Sequence, residues 1–275
     1  MDQNKQDLYT LRWYAKQIEK QSNHSTVRNL AAEQVTLLSK MLGDNAVLKV
    51  EPKVELPDAN LRGAKLDIYP AAMQHSRKMR TRGKYANGYP LGAVVHFTAG
   101  RDGAGKTIDG GIKNGYTFLC IQKDGLVAQA HPISQWGYHA GESAWKPLIG
   151  GVSDDLIGIE INAAGRVEKQ ENGTFKTWFG TYLSESDVRY TEGKENQLKG
   201  YYEKYTAAQE KSLIEVLLWL KHQAPDIFRF DYVLGHDEVA GPLGIGRWRK
   251  NDPGAALSMT MNEFRALLKK KYAEV

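Results

Sequence analysis

Two of the seven histidines in this chain stand at or near the ends of apolar runs, His96 in AVVHFTA and His236 in DYVLGH. A side chain at the end of a buried strand is held rigidly and can reach into a cleft. Asp252 follows His236 by 16 residues, across a loop carrying Gly241, Gly244 and Gly246, so the chain can fold back and return a carboxylate. Two imidazoles and one carboxylate form a hard-to-borderline donor set that suits a tetrahedral Zn²⁺ with its fourth position open to water. Spacing alone does not single this out, because the residues lack a tight local ligand motif such as HExxH and most histidines are satisfied surface or core groups. His24, His75 and His222 are read as structural, the first two in polar surroundings and the last near a helix end.

Glu160 lies inside the apolar stretch LIGIEIN, where a carboxylate costs free energy unless it is paired or hydrogen-bonded. Either it faces outward from an edge strand, or it sits beside an activated water with a raised pKa and serves as general base and then acid. Lys250, two residues before Asp252, is either a solvated surface lysine or a cation placed near a developing oxyanion.

The elements that must position these groups follow from hydrophobic periodicity. AVVHFTA (93–99), LIGIEIN (156–162) and DYVLGH (231–236) read as buried strands, and YTFLCIQKDGLVAQAHP (116–132) as two strands about an Asp124-Gly125 turn. Capping boxes at Thr206–Gln209 and Thr260–Glu263 open two helices, the first running to about Gln223. Interleaved strands and helices predict an α/β fold, with a central mixed β-sheet flanked by helices. Residues 67–275 form that domain. Helical spacing of Leu8, Leu11, Tyr14 and Ile18, then of Val27, Leu30, Val35 and Leu38, predicts a helical hairpin over 1–50. It is either a docking element or a cell-wall-binding module, joined by a linker over 51–66 that contains Pro52 and Pro57. The polar, aromatic stretch 165–205 is too long for a plain connection and is a candidate wall of a substrate groove.

A net charge of +5 and a pI near 9.0 favour an anionic partner, whether nucleic acid, a membrane surface or a cell-wall polymer. The lone Cys120 excludes an internal disulfide and any multi-cysteine metal site. No apolar stretch of about 18 residues occurs and the first residues lack a signal-peptide pattern, so the expectation is synthesis in the cytoplasm without membrane insertion.

Taken in order, AVVHFTAG, GYTFLCIQKDG, WGYHAGES, IGIEIN and GHDEVAG…RKNDPG resemble the zinc-dependent N-acetylmuramoyl-L-alanine amidases of the type 2 family, over about residues 67–270. That family includes phage lysozyme-like amidases, cytosolic muropeptide-recycling amidases and peptidoglycan recognition proteins. The resemblance implies a Zn²⁺ cofactor held by His96, His236 and Asp252, with Glu160 at the catalytic acidic position and Lys250 stabilising the tetrahedral intermediate. It places Tyr116 near the metal and Trp136 and His139 along the substrate groove, with packing roles as the alternative for all three. The implied reaction is hydrolysis of the amide between N-acetylmuramic acid and the L-alanine of the stem peptide. The implied setting is a phage endolysin acting on the wall after lysis, the alternatives being a cytosolic recycling enzyme or a secreted effector.

Two other function classes weigh less. A non-catalytic peptidoglycan receptor predicts a degraded ligand set, whereas all three ligand positions here are filled by competent residues. Nucleic-acid binding rests only on the basic balance, since RKMRTR (77–82) and KKK (269–271) come with no nucleic-acid motif.

Overall fold

The computed structural model describes residues 66–75, 81–101, 103–116, 118–148, 151–241, 244 and 250–274. The helical hairpin expected over 1–50, and the linker apart from Leu66, lie outside the described residues.

The apolar runs form a six-stranded sheet of β1 (Met73–Gln74), β3 (Gly92–Phe97), β4 (Leu119–Ile121), β5 (Val127–Gln129), β7 (Leu156–Ile161) and β13 (Val233–Gly235), in the order β1-β5-β4-β7-β3-β13. All neighbours are parallel except β4 and β5, the antiparallel pair about Asp124-Gly125. The two long strands β3 and β7, neighbours inside the sheet, are buried on both faces, which explains why they read as continuous apolar runs rather than as alternating ones.

Successive strand residues face opposite sides, and the two sides bury different things. Ala93, Val95, Ile157, Ile159 and Leu119 pack in one cluster with Leu213, Val216 and Leu220 of α2 (Ala207–Gln223) and Phe264 and Leu268 of α4 (Met261–Ala273). Both helices start at the expected capping boxes. On the other face Val94, Leu156 and Leu234 pack with Ala140, Val152 and Val239, and Cys120 with α1 (Ala104–Asn114). Helix α1, AGKTIDGGIKN, is not foreshadowed by local signals, because three glycines weaken its propensity. Burial of Ala104 and Ile108 against Cys120 and Ala128 supplies what propensity lacks.

The stretch 165–205 is itself a sheet of β8 (Arg166–Lys169), β9 (Phe175–Lys176), β10 (Tyr182–Leu183), β11 (Val188–Thr191) and β12 (Gly200–Glu203), antiparallel throughout and ordered β10-β9-β8-β12-β11. The remaining short pair is β2 (Gly83–Lys84) with β6 (Gln135–Trp136). Among the described residues no helix is long and apolar enough to cross a membrane.

His131, just beyond β5, is buried, with Nδ1–H donating to the Pro132 carbonyl at 2.9 Å and Nε2 meeting no hydrogen-bond partner. Burial lowers its pKa to about 4. The folded protein therefore takes up this proton only near pH 4, while the unfolded chain does so near its ordinary value of about 6.5. Between these values the unfolded state holds more protons, so the contribution is present above pH 6.5 and is lost as pH falls toward 4. Its full size is about 3 kcal/mol. We expect urea unfolding of metal-stripped protein between pH 6.5 and 4 to show a shallower loss of stability for His131→Gln than for the natural chain. Equal slopes would remove His131 from the account.

Candidate metal centre and active site

The parallel register of β3 and β7 sets His96 directly beside Glu160, and that of β7 and β4 sets Glu160 beside Cys120, so the three share one row on one face of the sheet. A slip of one residue would turn both His96 and Glu160 into the opposite core. His236 opens α3 (His236–Val239), a single helical turn that follows β13. That turn is clamped by a buried ion pair in which the Arg265 guanidinium of α4 holds both carboxylate oxygens of Glu238 at 2.8 and 3.0 Å. Glu238 also accepts from the Gly235 amide, and the Asp237 amide donates to the Asp252 carbonyl at 2.8 Å, tying the second and third candidate ligands together.

The donor atoms converge. His96 Nδ1, His236 Nδ1 and Asp252 Oδ2 are each 3.0 Å from the other two, and all three side chains are buried. Ligands bound about 2.0–2.1 Å from a tetrahedral ion lie about 3.3 Å apart, so the 3.0 Å triangle is a few tenths of an ångström tighter than such an ion would hold it. Tautomers add a stricter argument. His139 Nε2–H donates to the Leu156 carbonyl at 2.8 Å, and burial, reinforced by His96, holds the His139 pKa well below its ordinary value. Its Nδ1 is therefore bare and accepts from His96 Nε2–H at 3.1 Å, which leaves His96 Nδ1 bare as well. His236 Nε2–H donates to the Ala140 carbonyl at 3.0 Å, so Nδ1 is the nitrogen that faces His96 and Asp252.

Burial and the neighbouring His236 keep His96 neutral down to a pKa of about 4. Burial works to raise the Asp252 carboxyl, but His236 and His96 outweigh it and hold the group well below the usual carboxylate range. Two Nδ1 atoms and a carboxylate oxygen thus converge on one point while each histidine's Nε2 is engaged by a partner of its own, which is an arrangement that suits a cation.

These atoms open onto a cavity of about 590 Å³ that also exposes Glu160, Lys250 and Tyr116. Glu160 Oε2 is buried without a hydrogen-bond partner. Burial and then the Asp252 charge push its pKa well above the ordinary value, while Lys250 pulls it down. Of the residues expected from sequence, His96, His236, Asp252, Glu160, Lys250, Tyr116 and His139 all line this cavity. Trp136 does not share that lining: it packs against the main core and meets Tyr138 edge-to-face at 5.6 Å. Most of the glycine-rich loop between His236 and Lys250 lies outside the described residues.

The family model for N-acetylmuramoyl-L-alanine amidase matches residues 86–255, more than half of the chain and the whole span from β3 to Asp252. The chain belongs to this amidase family. The amidase also resembles solved structures, all at low identity. Against a selenomethionine AmpD derivative it is 21% identical, with a TM-score of 0.44 over 73% of this chain and 96% of that one. Against the endolysin amidase LysCS from Clostridium intestinale URNW it is 19% identical, with a TM-score of 0.44 over 74% and 98%. Against the Staphylococcus aureus hydrolase AmiA it is 16% identical, with a TM-score of 0.41 over 74% and 85%. No curated protein matches the chain.

Sequence reasoning missed the partners that hold the centre in place: the Arg265–Glu238 clamp, and Gly158, whose missing side chain makes room for His139. A Cβ on Gly158 would stand 2.7 Å from His139 Cγ. We expect His139→Ala to weaken binding of a divalent metal about 10- to 100-fold, since partners behind a ligating imidazole carry effects of that size. Gly158→Ala, which displaces the ring without deleting it, shifts affinity in the same direction. Chelator competition measures both, and unchanged affinity in the pair would mean that the tautomer lock has no effect on the metal.

Proposed function

We propose that this amidase is a zinc hydrolase that opens the bond between the N-acetylmuramic acid lactyl group and L-alanine in peptidoglycan. The observation that carries the reading is the triangle of His96 Nδ1, His236 Nδ1 and Asp252 Oδ2, opening onto the same cavity as Glu160. Two imidazoles and a carboxylate are a donor set that zinc accepts, with a position left for water. Zinc bound there would lower the pKa of its water from about 15.7 toward 7 and polarise the scissile carbonyl.

The chain's own groups then divide the work. Glu160 takes the proton of the attacking water and returns it to the amine of L-alanine, a task suited to a carboxyl whose proton affinity burial has raised. Lys250, on the approach to Asp252 and in the same cavity, places its ammonium by the oxyanion. Tyr116, half-exposed at the cavity, contacts the substrate beside the reacting bond. His139 orients His96. Trp136 supports the groove through Tyr138 rather than by lining it.

We further infer a lytic enzyme of the endolysin kind that works on intact wall, because the β8–β12 sheet adds exposed aromatic surface that a long polymer can use and a small soluble fragment does not need. The 67–275 region would then be the catalytic unit, and 1–50 a docking or wall-binding element. Purified sacculi should be hydrolysed in preference to soluble anhydro-muropeptides, and the opposite preference would indicate a recycling enzyme.

Glu160→Gln should lower release of free stem peptide by about 10²–10⁴-fold while leaving metal affinity intact. Retained hydrolysis would rule Glu160 out as the base. Lys250→Ala should cost about 10²–10³ in kcat. The pH profile carries a sign, because activity requires ionised Glu160. Since Lys250 lowers the Glu160 pKa, its removal should move the acid limb toward alkaline pH, whereas an unmoved limb would separate the two groups.

A further inference from the structure

Trp178 and Phe179 occupy the two central positions of the tight turn between β9 and β10, closed by Gly180 N–H donating to the Thr177 carbonyl at 3.0 Å, with Gly180 at φ +85°. Such positions are normally filled by glycine, asparagine, aspartate or proline. Trp178 is 72% exposed, the highest value for any exposed large hydrophobic among the described residues. It is nevertheless fixed, since its Nε1–H donates to the Ala99 carbonyl at 2.7 Å and Phe179 meets it edge-to-face at 5.4 Å. Its one polar atom is therefore engaged inside the protein, and what remains for a ligand is the apolar ring surface.

The anchor point belongs to the site. Ala99 lines the cavity of His96 and Glu160 and holds φ +50°, a conformation uncommon outside glycine. The turn tip is thus pinned to a strained stretch of the cavity wall. Its residues, Thr-Trp-Phe-Gly-Thr at 177–181, carry no charge, so they offer no ion-pair partner to the carboxylates and amines of a stem peptide. A neutral sugar ring, with an apolar C–H face and hydroxyls around its edge, asks only for a rigid aromatic plane.

We propose that Trp178 is a stacking platform for a sugar ring of the peptidoglycan glycan strand, placed at the mouth of the cavity by its hydrogen bond to Ala99. The assignment rests on the amidase reading of that cavity and extends it from the scissile bond to the polymer. Immobilising the indole beforehand leaves less side-chain entropy to lose on binding.

The test is co-sedimentation with peptide-free glycan strands of N-acetylglucosamine and N-acetylmuramic acid, which reads binding without catalysis. Trp178→Ala should weaken binding about tenfold, the scale of one aromatic contact, and Trp178→Phe should stay within about threefold of the natural chain. Unchanged binding by Trp178→Ala overturns the platform. Equal loss in both variants also overturns it, because phenylalanine keeps a ring face and lacks the N–H, so the anchor rather than stacking would carry the effect. A natural chain whose glycan binding depends on the Trp178 ring but which releases no stem peptide supports the platform and counts against the amidase chemistry. Stem-peptide release with glycan binding indifferent to Trp178 does the reverse.

Discussion

Three side-chain atoms set 3.0 Å apart, His96 Nδ1, His236 Nδ1 and Asp252 Oδ2, are the constraint around which this molecule is arranged. Gathering three polar side chains in a buried setting costs their hydration. The cluster persists because each ligand is held from behind by something independent. His96 is fixed by β3, by His139 and through its carbonyl by the Tyr205 hydroxyl at 3.1 Å. His236 rides on a turn clamped by Arg265. Asp252 is joined to α3 by the Asp237 amide, and Gly254 just after it lies so close to Tyr202 that a Cβ would stand 2.5 Å from Cε1.

The same low-polarity pocket drives two carboxyls apart. Asp252 faces imidazoles and keeps its charge, whereas Glu160 has one oxygen buried without a partner and is pushed toward the protonated form. Carboxyls that neighbouring environments separate in this way divide naturally into a ligand and a proton carrier. Lys250 couples to the second and so sets how readily it ionises.

The aromatic stretch 165–205 joins these roles. At one end Tyr202 packs on Gly254, and Arg189 donates to the Ala255 and Ala256 carbonyls at 2.9 and 3.1 Å, bracing the loop that carries Asp252. At the other end its turn tip reaches Ala99 on the cavity wall. One sheet therefore touches both the loop that carries Asp252 and the cavity wall.

Strands β3, β4, β5, β7 and β13 and the starts of α2 and α4 were legible in the sequence, because buried strands need continuous apolar runs and helix ends need capping side chains nearby in the chain. His96, Glu160 and His236 were legible for a related reason, since polar groups inside or beside apolar runs are anomalies, whereas Lys250 and Asp252 drew attention only by following His236 across a glycine-bearing loop and by the family resemblance. Helix α1 was not legible, since its glycines argue locally against it and only packing on β4 and β5 stabilises it. The Arg265–Glu238 clamp, the space above Gly158 and the Trp178–Ala99 bond were equally hidden, as each depends on residues 27, 19 and 79 positions apart meeting in space. Above all, the sequence by itself determined which donor types exist, while only the tertiary structure decided which nitrogen of each histidine faces the Asp252 carboxylate, because that choice belongs to the backbone carbonyls of Leu156 and Ala140 and not to the histidines themselves.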